Sequence, residues 1–272
     1  MKLEIKDLSC GYGKKVVVRD FNATLQSGDV LCLLGPNGVG KTTLFKTILG
    51  ALPAKSGEIT VDGRRLRDLN RREFARTISY VPQAHTPPFP FKVIDVIVMG
   101  RTAHLGSFAS PGKKDMAAAE EALHQLGVGY LRNRVYTEIS GGERQMVLIA
   151  RALVQDTSFL MMDEPTSNLD FGNQVRVLEN VKRLARERNL GIIMTTHYPD
   201  HAFYCDSRVA LMKRNNEYLE GMADEIITAP NMDAAYGICT EVLRGQYEDQ
   251  QIRACVPVRS NLQSFHVESD EA

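Results

Sequence analysis

Apolar positions along the first third of the chain fall into short groups. Leu3 and Ile5 alternate with charged neighbours, Val16 to Val18 form a β-branched run, and Ser27-Gly28-Asp29 breaks the pattern before the apolar run Val30 to Leu34. Alternation with a period of two marks a half-buried strand, whereas a run apolar at every position marks a strand covered on both faces. Glycines crowd residues 35–40, and Leu44, Ile48 and Leu49 then share one helical face, so the predicted order is strand, glycine loop, helix. Further strands are predicted at Ile59 to Val61, closed by an Asp62-Gly63 turn, and at Ile78 to Val81, stopped by Pro82. From about residue 84 to 156 the spacing becomes helical after Pro87, Pro88 and Pro90, and the segment reads as a helical insert. Phe159 to Met162 and Ile192 to Thr196 are predicted as buried strands either side of a helix over about residues 172–187. Such alternation implies a mainly parallel sheet. A strand at Val209 to Met212, a turn at Asn215-Asn216 and a short helix near Asp224 to Thr228 follow, and the last dozen residues are polar and expected to fray.

Composition narrows the class. The 272 residues are 43% hydrophobic and 24% charged, as in an ordinary globular domain. Lys plus Arg and Asp plus Glu are 33 each, so no overall basic field draws the chain to nucleic acid or to an anionic membrane. Arg64, Arg65, Arg67, Arg71, Arg72 and Arg76 are a local exception, but Asp68 and Glu73 interleave with them, which favours a solvated surface. The cysteines, Cys10, Cys32, Cys205, Cys239 and Cys255, are odd in number and form no C-x-x-C pair, as expected of reduced cytosolic thiols. No apolar stretch has the length of a signal peptide core or a membrane span.

Gly35-Pro36-Asn37-Gly38-Val39-Gly40-Lys41-Thr42 fits G-x-x-x-x-G-K-[ST] between the predicted strand and helix, and Thr43 follows it. Such glycines let backbone N–H groups turn inward around phosphate oxygens, while the lysine neutralises the outer phosphates and the hydroxyl ligates magnesium. The helix adds its positive end. A metal carboxylate is expected at the end of a neighbouring strand, where Asp163 stands, and Glu164 is placed to orient and deprotonate an attacking water. Ser140-Gly141-Gly142-Glu143 opens a helical run and reads equally as a capping box or as an anion site. His197, at the end of a predicted strand, is either structural or within reach of a terminal phosphate. Gln83 and Tyr12 are weaker candidates, for the metal or its water and for stacking on a base.

Taken in this order, the motifs resemble the ATP-binding subunits of ABC transporters over about residues 1–240. The resemblance implies an α/β fold: a P-loop NTPase core with a mainly parallel sheet, an antiparallel β subdomain and a helical insert at about 84–156, followed by a C-terminal extension and polar tail from 241 to 272. Residues 35–42 resemble the Walker A loop, Gln83 the Q-loop, Asp163-Glu164 the Walker B aspartate and catalytic glutamate, Ser167 to Asp170 the D-loop, and His197 the switch histidine. Ile139 to Glu143 resembles the signature Leu-Ser-Gly-Gly-Gln with Ile for Leu and Glu for Gln. ATP and Mg2+ are the implied cofactors. The implied partners are a second ATPase subunit arranged head to tail, integral-membrane permease subunits and, indirectly, a substrate-binding protein, at the cytoplasmic face of the membrane and without nucleic acid. Pro88 to Phe91, Asp95 to His104 and Thr195 to Pro199 resemble the importer branch for iron chelates, haem, cobalamin or oxyanions such as molybdate. An exporter ATPase and a nucleic-acid-linked ATPase are the alternatives.

Overall fold

The computed structural model describes residues 1–83, 89–106 and 109–260. Its strands are β1 (Lys2–Cys10), β2 (Val18–Gln26), β3 (Val30–Leu34), β4 (Ser56–Val61), β5 (Arg64–Arg65), β6 (Ile78–Val81), β7 (Phe159–Met162), β8 (Gly191–Thr196), β9 (Arg208–Met212), β10 (Tyr218–Met222), β11 (Ile238–Tyr247) and β12 (Gln250–Ser260). The helices are α1 (Lys41–Ile48), α2 (Arg71–Thr77), α3 (Val93–Val98), α4 (Lys113–Gln125), α5 (Gly141–Leu153), α6 (Phe171–Arg188), α7 (Pro199–Tyr204), α8 (Ala223–Ile226) and α9 (Ala229–Tyr236).

The central sheet runs in the order β10-β9-β3-β8-β7-β6, parallel except for β10 on β9. β3, β7 and β8 are buried at every position, which is why their sequences lack polar alternation. Successive side chains nevertheless point to opposite faces. Cys32, Leu34, Leu160, Met162, Ile192 and Met194 join the core formed with α5 and α6, whereas Leu31, Leu33, Phe159, Met161 and Ile193 join the one beneath α1, β1 and β2. The antiparallel sheet, ordered β2-β1-β4-β5, covers that second face. Val16 and Val17 are not strand residues: β2 starts at Val18, and Val17 instead packs on the glycine loop beside Gly40.

The insert is helical as expected in its described part, α3, α4 and α5 with short 3-10 turns between them. Pro87 and Pro88 lie outside the described residues. Gly100, Arg101 and His104 hold the insert to itself. A Cβ on Gly100 would lie 2.1 Å from the Arg151 carbonyl, Arg101 pairs with Asp115 at 3.0 Å, and His104 Nε2 lies 2.8 Å from the Gln155 carbonyl oxygen. Four of the six arginines are engaged internally: Arg64 with Glu73 and Arg65 with Glu58, each at 2.8 Å, while Arg72 and Arg76 donate to the Leu105 and Ala103 carbonyls of the insert. Arg72 and Arg76 thereby tie α2 to the insert, and carboxylates offset Arg64 and Arg65, which leaves no continuous cationic track of all six.

The chain keeps its structure well past residue 240. α9 ends at Gly237, left-handed at φ 68°, and β11 and β12 then form an antiparallel hairpin. Its inner face carries Thr240, Cys255 and Arg253, the last paired with Asp206 at 2.6 Å and Asp224 at 2.5 Å. Glu241, Arg244 and Gly245 interrupt the apolar pattern of β11, so sequence gives little sign of it. The final dozen residues, 261–272, lie outside the described residues.

Phe159 is fully buried against Gly191, where a Cβ would come within 2.5 Å of its ring. Phe159→Ala leaves a cavity between sheet and α1 layer and is expected to destabilise the chain by about 3–5 kcal/mol, measured as the shift in a urea unfolding midpoint.

Candidate functional site

β3 delivers the chain to the glycine loop at the carboxyl edge of the parallel sheet, the edge on which open α/β sheets bind ligands. Gly35 has φ 152° and a Cβ there would lie 2.5 Å from the Met212 carbonyl oxygen; Gly40 has φ 107° and a Cβ there would meet Val18 at 2.7 Å. Neither position admits a side chain. α1 begins directly after Gly40 with no side-chain cap and no acidic residue in its first turn, which leaves N–H groups and a positive helix end free for an anion. Lys41 is only 6% exposed, and its Nζ donates to the carbonyls of Gly35 and Pro36, the latter at 2.9 Å. Burial pulls its pKa down, and the carboxylates of Glu164 and Asp163 push it back up. Asn37, Gly38 and Thr42 are exposed, Pro36 and Val39 half-buried, and Thr43 buried.

The neighbouring strand ends bring the other candidates together. Thr195, at the end of β8, donates its hydroxyl to Asp163 Oδ1 at 2.8 Å and accepts the Glu164 N–H at 2.8 Å. Glu164 itself is left-handed, φ 44°, a costly conformation for a residue with a side chain and one that clusters at working sites. Its Oε2 accepts from Gln83 Nε2 at 3.2 Å, and its Oε1 lies 3.6 Å from His197 Nδ1. Gln83 follows β6, Glu164 follows β7 and His197 follows β8, so three positions far apart in sequence meet at one carboxylate. The arrangement can hold a phosphate chain on the loop with a carboxylate beside its end, flanked by an amide and an imidazole.

Among the described residues no group of three or more His, Cys, Asp or Glu could hold a metal. The donors present, the Thr42 hydroxyl, the Gln83 amide oxygen and the Asp163 carboxylate, are hard oxygens. That set suits Mg2+, which keeps waters and completes its shell with phosphate oxygens rather than using an all-protein cage.

The Ser140-Gly141-Gly142 segment and Tyr12 stand apart. Ser140 caps α5 through a complete capping box: its hydroxyl accepts the Glu143 N–H at 3.3 Å and donates to Glu143 Oε2 at 2.8 Å, which also accepts the Ser140 N–H. Tyr130 donates to the other Glu143 oxygen at 3.0 Å. These bonds, the backbone N–H first, hold the Glu143 carboxyl below its ordinary range. Gly142 packs on Asn173, where a Cβ would lie 2.5 Å from the side chain, and Gly141 is exposed. Among the described residues no hydrogen bond or ion pair joins Ser140, Gly141 or Gly142 to the loop at 35–43. Tyr12 is 51% exposed on the turn after β1, a turn that continues into Val17 and Val18 against Gly40.

Fold and site together define the class of a mainly parallel α/β core with a glycine loop at its carboxyl edge and a helical insert. Residues 18–167 match the ABC transporter family. An uncharacterized ABC transporter ATP-binding protein of Haemophilus influenzae is 42% identical over 243 residues, covering 89% of this chain and 92% of that protein. A hemin import ATP-binding protein of Bordetella avium is 37% identical over 251 residues, covering 89% and 95%. Among solved structures, an ABC transporter of metal-chelate type in an inward-facing conformation superposes with a TM-score of 0.85 at 32% identity, covering 96% of this chain and 98% of that one. The chain belongs to the ABC transporter family, as an ATP-binding subunit that hydrolyses ATP. Among the described residues no helix is long and apolar enough to cross a membrane.

The sequence places Thr195 and Thr196 in the Thr195 to Pro199 motif without a site role, and does not single out His201. His201 is 6% exposed, with Nδ1 2.9 Å from Thr196 Oγ1 and 3.5 Å from Thr166 Oγ1. Burial, helped by the neighbouring His197, pushes its pKa from 6.5 down to about 4. Between those values the unfolded chain takes up a proton that the folded chain refuses, so the contribution to stability is complete above pH 6.5 and drains away toward pH 4. Wild type measured against His201→Leu by chemical denaturation is expected to lose on the order of 3 kcal/mol of relative stability between neutral pH and pH 4.

Proposed function

We propose that the chain is the ATPase subunit of an importer for a metal chelate, such as an iron complex or haem, or for a related oxyanion. It works as a head-to-tail pair beneath permease subunits at the cytoplasmic face of the membrane, with a substrate-binding protein supplying the cargo. The observation that carries the catalytic reading is the convergence of Gln83 and His197 on Glu164 beside the buried Lys41. The cargo class rests on the hemin-importing relative and the metal-chelate neighbour, together with the insert motifs.

The loop amides and Lys41 bind the outer phosphates of ATP, and Tyr12 flanks the base. Thr42, Asp163 and Gln83 would hold Mg2+, which when bound offsets phosphate charge that would otherwise face two adjacent carboxylates. Glu164 accepts a proton from the attacking water as the bond from the γ-phosphorus to the bridging oxygen breaks, releasing ADP and phosphate. His197 donates to the γ-phosphate. Among the described residues the hydrogen bonds of the Ser140 hydroxyl and N–H run to Glu143 and none joins Ser140, Gly141 or Gly142 to the chain's own loop, which is compatible with their closing over ATP bound to the partner subunit. Closure acts on the permease through the insert, and phosphate release reopens the pair.

Glu164→Gln is expected to bind ATP within about threefold of wild type, to lose turnover by at least about a hundredfold and to accumulate as an ATP-dependent dimer on size-exclusion chromatography. Normal turnover in that variant contradicts the role of Glu164 as base. Lys41→Ala is expected to weaken ATP binding at least about tenfold by fluorescence titration. Unchanged affinity contradicts the assignment of the phosphate cradle.

A further inference from the structure

The buried His201 lies between the two segments that set the distance from His197 to Glu164. On one side, Thr166 belongs to the tight turn after Glu164, closed by the Ser167 N–H donating to the Glu164 carbonyl at 3.0 Å. On the other, Thr196 immediately precedes His197. The Thr196 hydroxyl accepts the Tyr198 N–H at 3.1 Å, which leaves its own hydrogen for His201 Nδ1 at 2.9 Å. The Thr166 hydroxyl approaches the same nitrogen at 3.5 Å. With Thr196 as the donor, the imidazole takes the tautomer that carries its hydrogen on Nε2.

Ring contacts extend the tie to the switch residue. The Tyr198 ring centroid is 4.1 Å from that of His197 and 5.0 Å from that of His201. α7 is in turn held on its outer side by the C-terminal hairpin. The Cys255 N–H donates to Asp200 Oδ1 at 2.7 Å, and the Arg253 guanidinium lies over the Phe203 ring at 5.6 Å. The short helix that carries His201 is thus clamped from both sides.

We propose that His201 is a positioning residue for ATP hydrolysis: by accepting from Thr196, with Thr166 at the same nitrogen, its imidazole locks the turn carrying His197 to the turn carrying Glu164. It touches neither nucleotide nor water. The inference rests on the assignment of His197 as the γ-phosphate contact, and a histidine that only filled space would be replaced by any side chain of similar volume.

The test compares full-length His201→Leu, His201→Asn, His201→Gln and Thr196→Val with wild type for Mg-ATP turnover, KM and thermal melting. His201→Leu fills the volume without an acceptor and is expected to lower kcat about tenfold, with KM for ATP within about twofold. An amide that still accepts, Asn or Gln, is expected to return kcat to within about threefold of wild type. Wild-type kcat in His201→Leu, or amides no better than leucine, overturns the proposal. Should His201→Leu fail to fold, Thr196→Val removes the donor from the other side, and wild-type kcat there overturns it equally. His197→Ala separates the two readings. Unchanged turnover in His197→Ala contradicts the His197 assignment, whereas lost turnover there beside an unimpaired His201→Leu overturns the His201 proposal alone.

Discussion

Strands buried on both faces can present chemistry only at their ends; β3, β7 and β8 are such strands, and with the parallel edge strand β6, where Tyr80 is exposed, they all end on the same edge. Their core positions are occupied by Leu, Ile, Val, Met, Phe and Cys32, with no room for function. The residues one or two positions beyond each strand therefore carry the site: Gly35 after β3, Gln83 after β6, Asp163 and Glu164 after β7, His197 after β8. The core fixes where they stand, and hydroxyls at strand ends fix how they point. Thr195 orients Asp163 and the Glu164 backbone, and Thr196 orients His201.

Charge explains why the edge is poised for a phosphate chain. Lys41 is desolvated against the carbonyls of its own loop, a poor substitute for anionic oxygens, and its nearest charged partners are Glu164 and Asp163. A triphosphate on the loop offers that ammonium the acceptors it lacks and the uncapped first turn of α1 an anion. The same ligand would crowd negative charge against two carboxylates, which is the electrostatic argument for the proposed Mg2+.

Sequence revealed most of this edge because the loop and the Asp163-Glu164 pair depend on local spacing and on adjacent strands visible as apolar runs. Gln83 and His197 were weak in isolation, since their partner Glu164 is 81 and 33 positions away and only the sheet brings them together. His201 gave no signal at all, because a buried acceptor between two threonines has no motif. The hairpin of β11 and β12 escaped for a different reason. It is half exposed, and its anchors, Arg253 to Asp206 and Asp224 and the Cys255 N–H to Asp200, are polar contacts that hydrophobic patterning does not report. Ser140 shows the converse: its capping box was legible and is present, whereas the anion-binding half of the reading depends on the proposed second subunit.

That second subunit is the central claim, and mixing two inactive variants tests it most directly. Lys41→Ala disables the loop, and Ser140→Asp keeps a helix cap while placing a carboxylate where the partner's phosphates are expected. If each nucleotide lies between one chain's loop and the other chain's Ser140 turn, an equimolar mixture contains dimers with one intact site and hydrolyses ATP faster than either variant alone. If the mixture shows no gain over the separate variants although both are folded and exchange subunits, the nucleotide is not shared between two copies and the account fails.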